Sequence, residues 1–272
     1  MDQPRMLRRQ SVEPLVSVDT TSIDQASHSY FDSEFPSPGL QTLLKSSKMA
    51  ADSGSSLESS VSGMPTPNQP EKHKRHSVQL LGRADDYPKA LTSTIANELR
   101  SMLPVEQRLA KSWRLVYSMD QHGISFHTML SRCEREKALV LAIKDSNGRV
   151  FGAFLNESLR LSPIFYGQGT SFLWKAFRST PQSRKKDAVK CFSYSGENEY
   201  FILCDPDFVA IGGGRGKFGL WFKSDFLHGY SARCPTFNNE PLCLDPSHPK
   251  NALPDAQQEF AVAHLEIWAF NT

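Results

Sequence analysis

The sequence lacks most of the features that would fix a function outright. Its 272 residues carry 31 Lys plus Arg against 29 Asp plus Glu, a net charge of +2. There is thus no one-signed field of the kind a dedicated nucleic-acid or anionic-membrane binder uses. No stretch approaches the roughly 18 consecutive apolar residues of a transmembrane helix, so direct membrane insertion is not expected. Cysteine is scarce: Cys133, Cys191, Cys204, Cys234 and Cys243 are odd in number and widely spaced. That argues against a disulfide framework and fits a reducing compartment. No Cys-x-x-Cys pair and no His-x-x-x-His spacing occurs, so no metal site is expected.

What is present is unevenly distributed. Sixteen of the first 80 residues are serine, and all four tryptophans and all five cysteines lie further on. Such a leader cannot bury enough apolar surface to offset its ordering entropy, about 1–2 kcal/mol per residue for the backbone alone. Residues 1–84 are therefore expected to form a disordered Ser/Pro-rich tail. Its first residues, with Arg5, Arg8 and Arg9, are somewhat like a mitochondrial presequence, while Asp2, Glu13 and early prolines favour a merely basic tail end. Ser11 and Ser77 each follow basic residues, as sites of a basic-directed kinase do.

Beyond the tail the pattern becomes periodic. Leu91, Ile95, Leu99 and Met102 predict one amphipathic helix, with Thr92 or Ser93 as N-cap and Pro104 past its end. Apolar, β-branched and aromatic runs predict strands at 113–117, 139–143, 150–155, 171–177, 200–204, 208–211, 220–222 and 260–270. Asn147-Gly148 marks a tight hairpin. Closely spaced strands without regular helices between them predict an α+β, β-dominated fold of two packed antiparallel sheets with flanking helices. The polar stretch 179–187 and the proline-rich stretch 245–251 read as exposed loops.

Candidate chemistry fails at specific positions. Gly214-x-Gly216-x-x-Gly219 resembles a dinucleotide fingerprint, but Leu220-Trp221-Phe222 follows it as a strand where a helix N-terminus is needed. A P-loop is excluded by Ile211 and Phe218 at positions requiring Gly and Ser/Thr. The glycines instead predict a turn joining two strands. No Gly-x-Ser-x-Gly elbow exists. Ser125 and Ser231 lie near histidines in sequence, but Ser125 reads better as the cap of a short helix through Phe126, Met129 and Leu130. Cys234, next to Arg233, is the candidate redox thiol, because a neighbouring cation favours the nucleophilic thiolate.

Several of these strings, taken in order, resemble the TLDc domain family. Leu103-Pro104-x-x-x-Arg108-x-x-x-x-Trp113-Arg114-Leu115-Val116-Tyr117-Ser118, His122-Gly123-x-Ser125 and Val150-Phe151-Gly152-Ala153-Phe154 carry the first half. Tyr166-Gly167-x-Gly169-x-x-Phe172-Leu173-Trp174, Ile211-Gly212-Gly213-Gly214, Ser231-x-x-Cys234-x-Thr236-Phe237-x-Asn239-x-x-Leu242 and Leu265-Glu266-x-Trp268 carry the second. Residues 89–271 are covered, and Tyr194-Ser195-Gly196 departs from the family's frequent Trp-Thr-Gly. The short chain with its serine-rich leader looks most like the fungal, oxidation-resistance members.

The resemblance implies a single non-enzymatic domain, without cofactor, that protects against oxidative damage. It further implies a protein partner, V-ATPase subunits, whose assembly would be regulated. A mitochondrial location is implied, or alternatively a cytosolic one at the vacuolar membrane through a partner. Trp113, Trp174 and Trp268 are expected in the core, so the first candidates for an interaction surface are the loop residues Arg215, Lys217, Asn238 and Glu240. The rival expectation is a thiol-dependent antioxidant enzyme or sensor using Cys234.

Overall fold

The computed structural model describes residues 77–178, 187–244 and 256–271. Its strands are β1 (Gln79–Leu81), β2 (Ser112–Ser118), β3 (Leu139–Asp145), β4 (Val150–Leu155), β5 (Ser162–Tyr166), β6 (Phe172–Arg178), β7 (Asp187–Phe192), β8 (Ile202–Cys204), β9 (Phe208–Gly214), β10 (Lys217–Lys223), β11 (His228–Ser231) and β12 (Gln258–Asn271). Four helices accompany them: α1 (Ser93–Arg100), α2 (Val105–Arg108), α3 (Met119–His122) and α4 (Phe126–Cys133).

The strands hydrogen-bond in the order β5-β8-β9-β10-β11-β12-β3-β4-β6-β7, with β2 also on β12 and β1 on β2. β12 is the joint. Its first residues pair with β11, from Val262 it pairs with β3, with a register shift between Val262 and His264, and from Glu266 it also pairs with β2. One long strand thereby belongs to two sheets, which fold onto each other. The shared core holds Leu141, Phe151 and Leu173 from one sheet and Ile202, Val209, Ile211, Leu220 and Phe222 from the other. This is the expected α+β, β-dominated arrangement of antiparallel sheets with few helices.

The outer face of the first sheet is covered by α1. Leu91, Ile95, Leu99 and Leu103 pack there with Trp113, Trp174 and Trp268. Thr92 caps the helix by accepting from the Ile95 N–H at 3.2 Å, which satisfies one of the orphan donors of its first turn. Ser125 caps α4 in the same way through Thr128 N–H. β3 and β4 join through the Asn147-Gly148 turn, where Gly148 takes φ +78° and Asp145 accepts its N–H. The outer face of the second sheet is an aromatic layer in which Trp221 stacks on Tyr230 at 5.1 Å.

Four strands escape the sequence patterns. β5 contains Pro163 and forms a sheet edge, the place where a missing ladder donor is tolerated. β7 and β11 are short and mixed in polarity, and β1 has three residues. β1 also corrects the expected tail boundary. Residues 77–84 belong to the fold: β1 pairs in parallel with β2, Val78 is buried, and Arg83 bonds to the buried Glu266. The rest of the expected tail, 1–76, lies outside the described residues, as do 179–186 and 245–255, which contain most of the two expected loops. Among the described residues no helix is long and apolar enough to cross a membrane.

Candidate functional site: a cationic cleft beside the β9–β10 turn

The site is built from two turns and one loop. β9 and β10 pair Gly214 with Lys217, leaving Arg215 and Gly216 as a two-residue connection with φ of 55° and 71°. Positive φ at both positions is the type I′ geometry, whose twist matches that of the flanking strands. Gly216 adopts it freely, whereas Arg215 carries a small backbone cost and places its side chain, 82% exposed, in solvent.

Against this hairpin lies the segment 231–243. Gly212, at φ 73°, lets it approach: a Cβ there would meet Phe237 Cδ2 at 2.6 Å and Cys234 Sγ at 2.8 Å. Thr236 is buried, and its Oγ1 accepts from Gly213 N–H at 2.9 Å and lies 2.7 Å from Asn198 Oδ1. Asn239, also buried, accepts from the Cys234 N–H and donates to Ala232 O and Glu240 O. Buried polar groups satisfied this fully hold a segment in one conformation. The glycine cluster therefore serves close strand-to-loop packing.

Between the hairpin and the segment opens a cavity of about 440 Å³ lined by Glu197, Arg215, Lys217, Arg233, Cys234, Pro235 and Asn238. Three of the four expected loop residues, Arg215, Lys217 and Asn238, meet in it. Arg233 Nε and Nη2 donate to Asn238 Oδ1 at 3.1 and 2.5 Å. Glu197 Oε2 stands 3.8 Å from Arg215. Glu240, the fourth, faces elsewhere: it bonds Lys175 at 2.8 Å and Lys190 at 3.1 Å. Burial alone would raise its carboxyl pKa, but hydrogen bonds and charge from the two lysines outweigh that and hold it below the usual value. Glu240 thus anchors the segment to β6 and β7.

The expected activation of Cys234 by Arg233 does not occur. The guanidinium is turned to Asn238, and Cys234 Sγ sits 3.2 Å from Asn239 Oδ1. Burial pushes the thiol up to about 11, with backbone and Thr236 hydrogen bonds offsetting only part of it. Cys191 and Cys204 are raised to about 12 and Cys243 to about 11, each chiefly by burial.

The serine candidates are committed to structure. Ser231 is buried, its Oγ donating to Gly219 O and accepting from Leu242 N–H. His122 Nδ1 accepts from Ser118 N–H at 3.0 Å, so the sequence neighbours His122 and Ser125 serve two separate caps. Among the described residues no group of three or more His, Cys, Asp or Glu could hold a metal. Glu197, and Arg233 in its cleft role, were not foreseen. They are 36 residues apart in sequence, and no local pattern announces their meeting.

The fold and site thus define a two-sheet domain that carries a cationic cleft beside the β9–β10 turn. Comparison with known proteins agrees with that class: the TLDc domain matches residues 85–271. The chain is 32% identical over 266 residues to oxidation resistance protein 1 of Podospora anserina, covering 80% of this chain and 73% of that one. It is 34% identical over 214 residues to the protein of that name in Yarrowia lipolytica, covering 74% and 85%. For Schizosaccharomyces pombe the figures are 31% over 186 residues, 65% and 91%. The chain belongs to the TLDc family.

Proposed function

We propose that the protein protects against oxidative damage without catalysis of its own, by binding a protein assembly and shifting it between states. Its fungal relatives are named for oxidation resistance, which supports this reading. The observation that carries an interaction role is the cleft: Arg215, Lys217, Arg233 and Asn238 converge on it, while the candidate nucleophiles are buried or used as caps. The assembly is the V-ATPase. A domain that binds one assembly state better than another moves the population by its differential affinity alone. Engagement of the pump places the protein on the cytosolic side of the vacuolar membrane, alongside a mitochondrial pool.

The test incubates the full chain with purified V-ATPase and measures co-sedimentation and the ratio of assembled to free pump sectors. Binding with a changed ratio is expected. No binding and an unchanged ratio would remove the partner.

A further inference from the structure

We infer that the cleft beside the β9–β10 turn is a receptor for an acidic peptide segment, taking Asp or Glu carboxylates of a partner protein between Arg215 and Arg233. The inference deepens the proposed interaction role and rests on it, by assigning that role a place and a ligand chemistry.

Charge is the first ground. Among the described residues, three cations, Arg215, Lys217 and Arg233, face a cavity of about 440 Å³ whose lining holds one anion, Glu197. The whole chain, by contrast, is nearly neutral at +2, so this local excess is not one corner of a general basic field. Guanidinium forks match carboxylates in a planar, two-bond geometry that a lysine cannot offer.

Preorganisation is the second. Arg233 is already oriented by Asn238 Oδ1, and Asn238 is itself fixed at φ 46° with its N–H bonded to Cys234 O at 2.9 Å. Arg215 leaves a two-residue turn whose geometry is set by the ladder on both sides. Behind them, Thr236, Asn198 and Asn239 lock the walls through buried hydrogen bonds. On the Arg233 side, a ligand entering such a site has little protein left to order, which keeps more of its interaction energy as affinity.

Shape and surroundings select a peptide over other polyanions. A nucleic acid needs a track of cations that neutralises successive phosphates, and a bilayer needs a broad basic face. Here the exposed Glu197 lines the cleft beside Arg215 and opposes an extended anionic surface, whereas a single acidic side chain has only this one carboxylate to displace. The loose 3.8 Å pair of Glu197 with Arg215 is one that an incoming carboxylate would displace.

The test measures fluorescence anisotropy of a labelled hepta-glutamate peptide against the full-length chain, with a hepta-glutamine peptide as control. Saturable binding of the first alone, weakening with added salt, is expected. Arg215→Asn with Arg233→Gln should weaken it about tenfold or more, the loss of two charge-assisted contacts. Arg215→Asn alone, at an exposed turn where Asn accepts positive φ, should weaken it measurably with the melting temperature unchanged. Glu197→Gln should tighten binding, a change that a merely structural role would not produce. Lys223→Gln, on the far end of β10, should change nothing. Unaltered affinity in the Arg215 and Arg233 variants overturns the inference. So does stronger binding of a phosphoserine heptapeptide, of duplex DNA or of phosphatidylserine vesicles. If V-ATPase binds the double variant as well as the parent, the cleft assignment fails and the interaction role stands. If the peptide binds at the cleft and the pump does not bind, the converse holds.

Discussion

Replacing Glu266 with Gln should detach the start of the domain from its sheet, at a cost large enough to read in a simple melt. Glu266 is fully buried on β12, and among the described residues every partner it has is a donor. Arg83 Nη1 lies 2.9 and 3.0 Å from its two oxygens, Leu91 N–H 3.0 Å from Oε2, and Trp268 Nε1 3.1 Å from Oε2. An amide in place of the carboxylate must turn its NH₂ toward one of these donors, and it leaves the Arg83 guanidinium, 9% exposed, without a counter-charge. Breaking a buried pair in this way costs about 3–5 kcal/mol. For a domain of this size each kcal/mol moves the melting temperature by roughly 2–4 °C, so a fall of about 6–20 °C is expected by circular dichroism. Hydrogen exchange should localise the damage to residues 77–91. Arg83→Met, which strands the carboxylate instead, should also destabilise, and the double variant should be milder than the sum by about 1–3 kcal/mol. Additive effects within about 0.5 kcal/mol would refute the reasoning. A chain begun at residue 85, where the family match starts, lacks Arg83 and should show the same defect.

Three further outcomes are expected. Gly152→Ala should destabilise by about 1–3 kcal/mol or more by overpacking, since a Cβ there would fall 1.9 Å from Leu141 O and 3.2 Å from Trp174 Cζ2; an unchanged urea midpoint would contradict it. Glu240 has its folded pKa below the ordinary 4.5, so its stabilising contribution is complete above that value and is lost as pH falls through the lower, folded pKa. Hydrogen-exchange protection in 231–243, relative to the intrinsic rate at each pH, should therefore fall on acidification below pH 4.5, and Glu240→Gln should flatten that dependence; an identical profile in both proteins would refute it. Cys234, with a pKa of about 11, is a thiolate in only about one molecule in a thousand at pH 8. It should resist iodoacetamide in the native state, and a folded Cys234→Ser chain should retain full stress protection; rapid labelling with loss of protection would restore the thiol-dependent alternative.

The residues that were legible in the sequence share one property: their partners are local or their burial is decided by size alone. Thr92 caps a helix three residues on, Asn147-Gly148 closes adjacent strands, and three tryptophans are too large and apolar to stay outside. Arg83 and Glu266, 183 residues apart, belong to the other kind. Each is an ordinary charged residue in its own neighbourhood, and only the register of β12 against β2 and β3 makes them a buried pair. The cleft is the same kind of object. Arg215 and Lys217 could be guessed from a glycine-flanked turn, but Glu240 looked equally exposed until β6 and β7 supplied Lys175 and Lys190. Arg233 looked like an activator of Cys234 until Asn238 turned its guanidinium away. Charge on a loop acquires a role only through what the sheets place opposite it. Here the two sheets spend one loop acid on anchoring the segment 231–243, and that anchoring keeps Arg233 and Asn238 facing the β9–β10 turn. Glu240 is therefore coupled to the cleft it does not line: releasing it should loosen one cleft wall before it loosens the fold.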